Sequence, residues 1–515
     1  MSHGGAMPRP LSGAPLAITA FALAMGTFMQ VLDTTIANVS LPTIAGNLGV
    51  STNQGTWVIT SFAVANGIGV PLTGWLMGRY GVVRTFVFSV LCFTAASFLC
   101  GIAWSLPSLI FFRVLQGATS GPMIPGSQAL LISIFPPDKR PTALGIWSIT
   151  TLVAPIFGPI LGGYISDNFH WGWIFLINVP VGLSVAFVCW NNLKSRETPT
   201  FKLPIDTVGL GLLIVWVGTL QIMLDTGKDA DWFQSSTIVI EAIITAVFFV
   251  SFVIWELTEK HPIVDLSLFK RRNFTLGVIA FCMGYAVFFA NTLLMPLWLQ
   301  TQLGYTATWA GLVAAPTGAI AVMLTPLTAR MMSRVDARII ATVAFVAFGI
   351  SYLMRANFTT QVTFFDLTLP LLVQGIAMAT FFLAMFTLLL DGLPPQKIPA
   401  ASGVSNFVRI TAGGFAASMV TTLWDRREAM HQSHMADITT VFNPAMTKAL
   451  AGLHALGMPD LAAKAVIVRN MTVQAYLLAA DDIFWVSGWA CFAMIGLVWL
   501  CHGAKSGGGA PVAAD

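Results

Sequence analysis

Asp33 stands where a carboxylate is least expected, about five helical turns into the first long apolar run of the chain. At the centre of a bilayer such a group costs roughly 2.5–3.5 kcal/mol on insertion scales, so it marks function by default. Gln30, Thr34 and Asn38 recur at steps of four residues and share one helix face, with Asp33 beside them. That polar stripe must face a water-filled cavity or partner side chains. Burial penalises the charged form of a carboxyl, which suits an acid at this depth to taking up and releasing a proton. The competing reading is a carboxylate locked in an ion pair. Arg113, in the fourth apolar run beside Gln116, is the best candidate partner, against a purely structural arginine bonded to backbone carbonyls. Arg409, three residues after Asn406 in the thirteenth run, is a third buried charge. It either orients anionic groups, neutralises a carboxylate, or snorkels to the interface. With Asn291 of the ninth run, the polar side chains Gln30, Thr34, Asn38, Gln116, Asn406 and Arg409 are the expected lining of a substrate cavity. Glu241 and Glu256 read as interfacial, and Asp225 closes the seventh run near the outer face.

These residues need helices to position them. In the fifth run Ala154, Gly158, Gly162 and Ser166 form a small-residue ridge that lets another helix approach closely. Pro155 and Pro159 remove backbone donors and are expected to bend that helix. The string Pro136-Pro137-Asp138-Lys139-Arg140-Pro141-Thr142-Ala143-Leu144-Gly145 returns as Pro394-Pro395-Gln396-Lys397-Ile398-Pro399-Ala400-Ala401-Ser402-Gly403. The offset is 394 − 136 = 258, and Gln116-Gly117 recurs as Gln374-Gly375 at the same offset. The equivalent of Arg113 is Leu371, so the charge is kept in one copy only. A duplicated unit of apolar spans joined by short basic loops is the build of many transporters.

Of the 515 residues, 56% are hydrophobic and only 9% charged, against roughly 25% charged in soluble domains. We read fourteen helical spans, beginning near residues 15, 55, 85, 108, 142, 172, 207, 236, 274, 309, 339, 367, 402 and 483. The repeat offset exceeds the first six spans by what two further helices require. The expected organisation is therefore an N-terminal six-helix half (1–205), two inserted helices (206–258) and the first five helices of the C-terminal half (259–424). A polar helical loop on the outer face (425–482) and the last span with its tail (483–515) complete it. Arg79, Arg84, Lys139, Arg140, Lys194, Arg330, Arg334 and Lys397 all fall in loops on one side, whereas the opposite short loops hold only Lys228 and Arg355. That asymmetry places both termini in the cytoplasm, with the first span retained rather than cleaved as a signal. The outer segment reads either as a helical cap over the last spans or as a docking surface.

Other classes are excluded. The net charge of +4 comes from scattered loops, which gives no nucleic-acid patch. The six cysteines lie in or beside apolar spans without metal-site or disulfide spacing. No GxxxxGK[ST], HExxH or GxSxG string is present, and His431 with His434 reads as a hydrated helix face, so neither cofactor, metal nor enzyme chemistry is expected. A channel would want symmetric polar rings, and the ionisable residues here are few and asymmetric.

Several strings carry a resemblance: Leu32-Asp33-Thr34-Thr35-Ile36-Ala37-Asn38-Val39, Arg113-Val114-Leu115-Gln116-Gly117, Gly158-Pro159-Ile160-Leu161-Gly162-Gly163 and Trp171-Gly172-Trp173-Ile174-Phe175-Leu176-Ile177-Asn178-Val179-Pro180. Over nearly its whole length the chain resembles the major facilitator superfamily, and within it the fourteen-span drug:proton antiporters. The resemblance implies an all-α integral membrane fold, the major facilitator fold of two six-helix halves plus two inserted helices. It implies export of amphiphilic or lipophilic compounds across a bacterial inner membrane, with Asp33 and Arg113 in proton coupling. Pro155, Gly158, Pro159, Gly162 and Gly163 would form the antiporter element, and Gly74, Arg79, Gly81 and Arg84 the cytoplasmic gating loop. It further implies a periplasmic adaptor and an outer-membrane channel as partners. Gly78 departs from the pattern, because the superfamily usually has an acid there. A proton-coupled uptake transporter shares the fold and Asp33, and is the alternative.

Overall fold

The computed structural model describes residues 11–503 apart from 51, 56, 137–138, 202–203, 261, 395–396 and 441. Lys202 and the Gly/Ala-rich tail after residue 503 thus lie outside the described residues. The chain is helical, with no strand among the described residues. In a bilayer this is the economical solution, since each helix satisfies its own backbone donors and acceptors.

The N-terminal helices are α1 (Gly13–Leu48), α2 (Thr52–Gly55), α3 (Trp57–Gly69), α4 (Thr73–Tyr80), α5 (Val82–Gly101), α6 (Leu106–Ser120), α7 (Met123–Ile134), α8 (Arg140–Asn168), α9 (Trp173–Leu176) and α10 (Asn178–Leu193). Next come α11 (Thr207–Thr226) and α12 (Ser236–Thr258), then α13 (Arg272–Thr301), α14 (Ala307–Met332), α15 (Ala337–Arg355) and α16 (Phe364–Leu390). The chain ends with α17 (Ile398–Ile438), α18 (Pro444–Ala455) and α19 (Asp460–Trp499). Among the described residues ten helices are long and apolar enough to cross a membrane, or eleven if α3 and α4, bent by 55° at Val70-Pro71, count as one. With the pair α6–α7, α8 and α17, the rods among the described residues number fourteen, in the order read from the sequence.

Three features differ from expectation. The span expected near residue 483 begins at Asp460, and α17 runs on to Ile438, so the segment 425–482 is mostly the ends of two long helices. Arg355, read as a loop charge, is the last residue of α15 and only 1% exposed. Glu256, read as interfacial, is 3% exposed and accepts the Val264 N–H at 3.1 Å.

The sequence repeat is a structural repeat. Adding 258 to the first residues of α6 and α8, 106 and 140, gives 364 and 398, the first residues of α16 and α17. The halves meet at the end that carries the basic loops. Trp147 of α8 packs edge-on against Phe386 of α16, ring centroids 5.1 Å apart. A Cβ at Gly74 would lie 3.4 Å from Ala400 Cβ, and one at Gly145 3.1 Å from Thr325. At the far end the helix α11 bonds to helices of both halves. Its Asp225 accepts from Thr60 of α3, and its Leu224 carbonyl accepts from Ser418 Oγ of α17 at 2.6 Å. Trp232, after α11, donates to Thr422 at 3.0 Å. The most apolar helix, α12, buries only 11% of its most apolar stretch, the inversion expected where lipid is the solvent.

Candidate functional site

Asp33 is fully buried, and its two oxygens are completely engaged. Arg113 Nη1 donates to Oδ2 at 2.5 Å, while Gln116 Nε2 and Asn178 Nδ2 donate to Oδ1 at 3.0 and 2.9 Å. Arg113 is 1% exposed. Its Nε bonds the Val58 carbonyl at 2.9 Å, its Nη1 also reaches Gln116 Oε1 at 2.8 Å, and its guanidinium lies 4.2 Å over the Phe62 ring. Asn178 is held in turn by Ser97 Oγ at 3.0 Å, which donates to the Phe175 carbonyl at 2.9 Å. Thus α1, α3, α5, α6, α9 and α10 each contribute a group to one charge-neutral cluster. Removing either ion alone would leave the other buried without compensation.

The placement follows from helix crossings that only small residues permit. Gly117 packs on the Phe62 carbonyl and Gly121 on Gly69, which brings α6 against α3 and aims Arg113 inward. On α8 the small-residue ridge meets α1. A Cβ at Gly158 would strike Thr35, one at Gly162 would lie 3.0 Å from Ile36, and Ser166 Oγ bonds Ser40 Oγ at 2.8 Å. Gly163 faces open space. Of Pro155 and Pro159 only the helical backbone is described; the side-chain part of that expectation lies outside the described residues.

The expected cavity residues divide between four places. Gln116 belongs to the Asp33 cluster. Along the stripe on α1, Gln30 is buried with Oε1 unpartnered among the described residues, Thr34 is half-buried and Asn38 exposed. Exposure therefore grows away from the end where the halves meet. Asn406 and Arg409 form a separate group at the junction. Arg409 Nε and Nη2 bond Asn406 Oδ1 at 3.2 and 3.1 Å, its guanidinium lies 4.5 Å over the Tyr285 ring, and Asn406 Nδ2 reaches Gln128 of the other half at 3.5 Å. Asn291 joins neither. It is buried between α13 and α19, bonding Ser487 Oγ at 2.9 Å.

In the loop between α4 and α5, Gly81 has φ +94°, a conformation that favours glycine. Arg79 stacks on Trp75 and Tyr80 at 5.7 and 5.9 Å. No acid stands at Gly78, but Glu197 from the segment after α10 comes to this corner. Its two oxygens accept the Val83 and Arg84 N–H groups at 3.0 and 2.9 Å, capping α5. Sequence reasoning missed Glu197, Asn178 and Ser97, because each acts across a helix crossing that spacing does not reveal. At the end away from the basic loops His431 Nε2 bonds Asp482 at 2.8 Å.

A fourteen-rod helical bundle of two repeat-related halves, with a buried acid–cation pair in one, defines a multi-pass membrane transporter. The chain belongs to the Major Facilitator Superfamily, whose family model matches residues 23–418. It is 48% identical over 505 residues to the multidrug export protein EmrB of Escherichia coli (strain K12), covering 97% of this chain and 99% of that one. It is 46% identical over 501 residues to the fatty acid resistance protein FarB of Neisseria gonorrhoeae, covering 97% and 99%. Among solved structures, the human organic anion transporter MFSD10 aligns with a TM-score of 0.59 at 12% identity, covering 94% of this chain and 100% of that one. The proton:xylose symporter XylE gives the same score and identity, covering 94% and 95%. These two share the fold.

Proposed function

We propose that this chain is a proton-driven antiporter that exports amphiphilic or lipophilic compounds across a bacterial inner membrane by alternating access. The observation that carries the reading is the Asp33–Arg113 pair, buried, paired at 2.5 Å and confined to one half. The halves meet at the basic-loop end and exposure along α1 grows away from it, as in a carrier whose cavity opens outward. Protonation of Asp33 would cancel its charge and weaken its hold on Arg113, loosening α1 from α6 and letting the halves rock. Substrate would sit near Gln30, Asn406 and Arg409, between apolar walls. One proton moving inward supplies about 2.3 kcal/mol per 100 mV, so ~150 mV sustains a concentration ratio of a few hundredfold for a neutral compound. The names of the relatives, multidrug export and fatty acid resistance, agree with export.

The same reading places both chain ends in the cytoplasm and makes 1–205 and 259–515 the two lobes, with 206–258 inserted. It makes the chain the inner-membrane pump of a tripartite assembly with a periplasmic adaptor and an outer-membrane channel. The helices α17 and α19, of 41 and 40 residues, are each about 60 Å long against a hydrocarbon core of about 30 Å. They therefore project beyond the bilayer, and their tip exposes Phe442 at 91% and Leu461 at 82%, apolar surface suited to an adaptor.

Asp33→Asn should abolish substrate-driven proton movement in proteoliposomes under an imposed pH gradient, and because it strands the buried Arg113 its transport is compared with wild type at equal amounts of folded protein. Unchanged efflux by the variant removes Asp33 from the mechanism. Substrate accumulation on the side to which protons flow would instead mark an uptake transporter.

A further inference from the structure

Away from the Asp33 cluster, α5 and α10 leave an open apolar groove of about 510 Å³ on the outer surface of the bundle. Phe88 and Leu91 form one wall, Leu183, Phe187 and Trp190 the other, and Arg84 closes one end. Phe88 and Phe187 are 68% and 73% exposed, so the rings flank the groove without filling it. From Arg84 to Leu91 it follows α5 for about 10 Å, seven residues at 1.5 Å each.

The charge at one mouth decides what fits. Arg84 precedes Phe88 by four residues and Lys194 follows Trp190 by four, so each cation continues its own wall at the same end. Both are exposed, and neither side chain has an ion-pair partner among the described residues. The nearby acid, Glu197, is occupied by the Val83, Arg84 and Thr198 N–H groups. Trp190 beside the mouth is a residue type that settles at headgroup level. The groove therefore offers an apolar trough with Arg84 at its edge and Lys194 one turn beyond Trp190, neither side chain in an ion pair among the described residues.

We propose that this groove binds an anionic phospholipid of the leaflet that faces the basic loops, one acyl chain lying between α5 and α10 and the phosphate held by Arg84 and Lys194. Clustered Lys and Arg at the cytoplasmic ends of helices attract anionic headgroups, and an acyl chain is the apolar occupant the surroundings supply. The site also touches the loop machinery. Beyond Lys194 the chain passes Glu197, then Phe201, whose N–H bonds the Gly78 carbonyl at 2.8 Å, and Pro204, whose carbonyl accepts from Trp75 at 3.1 Å. A headgroup joining Arg84 to Lys194 braces this strap against α5, beside the loop between α4 and α5. The inference stands whether or not the protein moves protons.

The test is native mass spectrometry of the purified full-length protein, offered phosphatidylglycerol and phosphatidylcholine of identical chains. Wild type should retain phosphatidylglycerol in preference. Arg84→Ala with Lys194→Ala should lower that preference about tenfold, whereas Arg330→Ala with Arg334→Ala, two exposed cations at the end of α14, should not. Leu183→Trp, which fills the trough and keeps both cations, should reduce retention of both lipids. Equal loss from the two arginine-containing pairs would reduce the effect to general annular attraction and overturn the site. So would unchanged retention in Leu183→Trp, or displacement of the lipid by inorganic phosphate alone. Should the double alanine variant fail to fold, Arg84→Lys keeps the charge and must retain the preference.

Discussion

The two halves hold equivalent positions filled with different chemistry. Adding 258 to 33, 97, 113 and 116 gives 291, 355, 371 and 374, so Asp33, Ser97, Arg113 and Gln116 correspond to Asn291, Arg355, Leu371 and Gln374. In the N-terminal half the acid and its cation neutralise each other among amides. In the C-terminal half the acid has become an amide, and a cation appears on a different helix, α15 instead of the equivalent of α6. Arg355 donates to Gln374 Oε1 and to Ser351 Oγ, while its Nε and the Asn291 Oδ1 have no partner among the described residues. One half thus carries a buried acid–cation pair, and the other a buried cation held by neutral acceptors. Equivalent positions recur in both halves, and of the pair Asp33 and Asn291 only the first is an acid.

Moving the acid tests this contrast most strongly. Asp33→Asn combined with Asn291→Asp should transport no better than Asp33→Asn alone, because Leu371 cannot take the part of Arg113. Restored substrate-driven proton uptake in vesicles would show the halves to be interchangeable. Removing the cations comes next. Arg113→Ala should destabilise the protein by about 3–5 kcal/mol by stranding Asp33, and Arg355→Ala by about 1–3 kcal/mol by stranding neutral acceptors. Thermal unfolding in detergent gives both values, and equal losses would erase the distinction. Within the helix that braces Asp33, Gly158→Ala should cost about 1–3 kcal/mol by overpacking against Thr35. Gly163→Ala, which meets open space, should stay within about 0.5 kcal/mol.

A further small effect concerns the loop ends. Lys397 of the second repeat copy bonds Asp265 at 3.0 Å. Burial raises the Asp265 carboxyl, but bonds from Ser267 and Lys397 outweigh it and hold the group below its ordinary value. A depressed carboxylate contributes stability that is present at neutral pH and lost as pH falls through its folded value. The pair is substantially exposed, so Lys397→Ala should cost under about 1 kcal/mol at pH 7 and nothing measurable once Asp265 is protonated. Unfolding curves at the two pH values decide it.

The order of the fourteen rods, the duplication and the exceptional status of Asp33 were legible in the chain, because lipid imposes long apolar runs and makes each buried charge conspicuous. The ridge on α8 was legible for the same reason, since small residues at steps of four have few other uses in a membrane. Arg355 was misplaced because a cation at a helix end looks alike in sequence whether it turns to water or inward. Which residues surround Asp33 was settled by packing alone. Asn178, Ser97 and the Val58 carbonyl come from helices whose rotation about their own axes depends on glycine contacts far along the chain. Periodicity records which face of a helix is polar, while only the assembled bundle decides which neighbour that face meets.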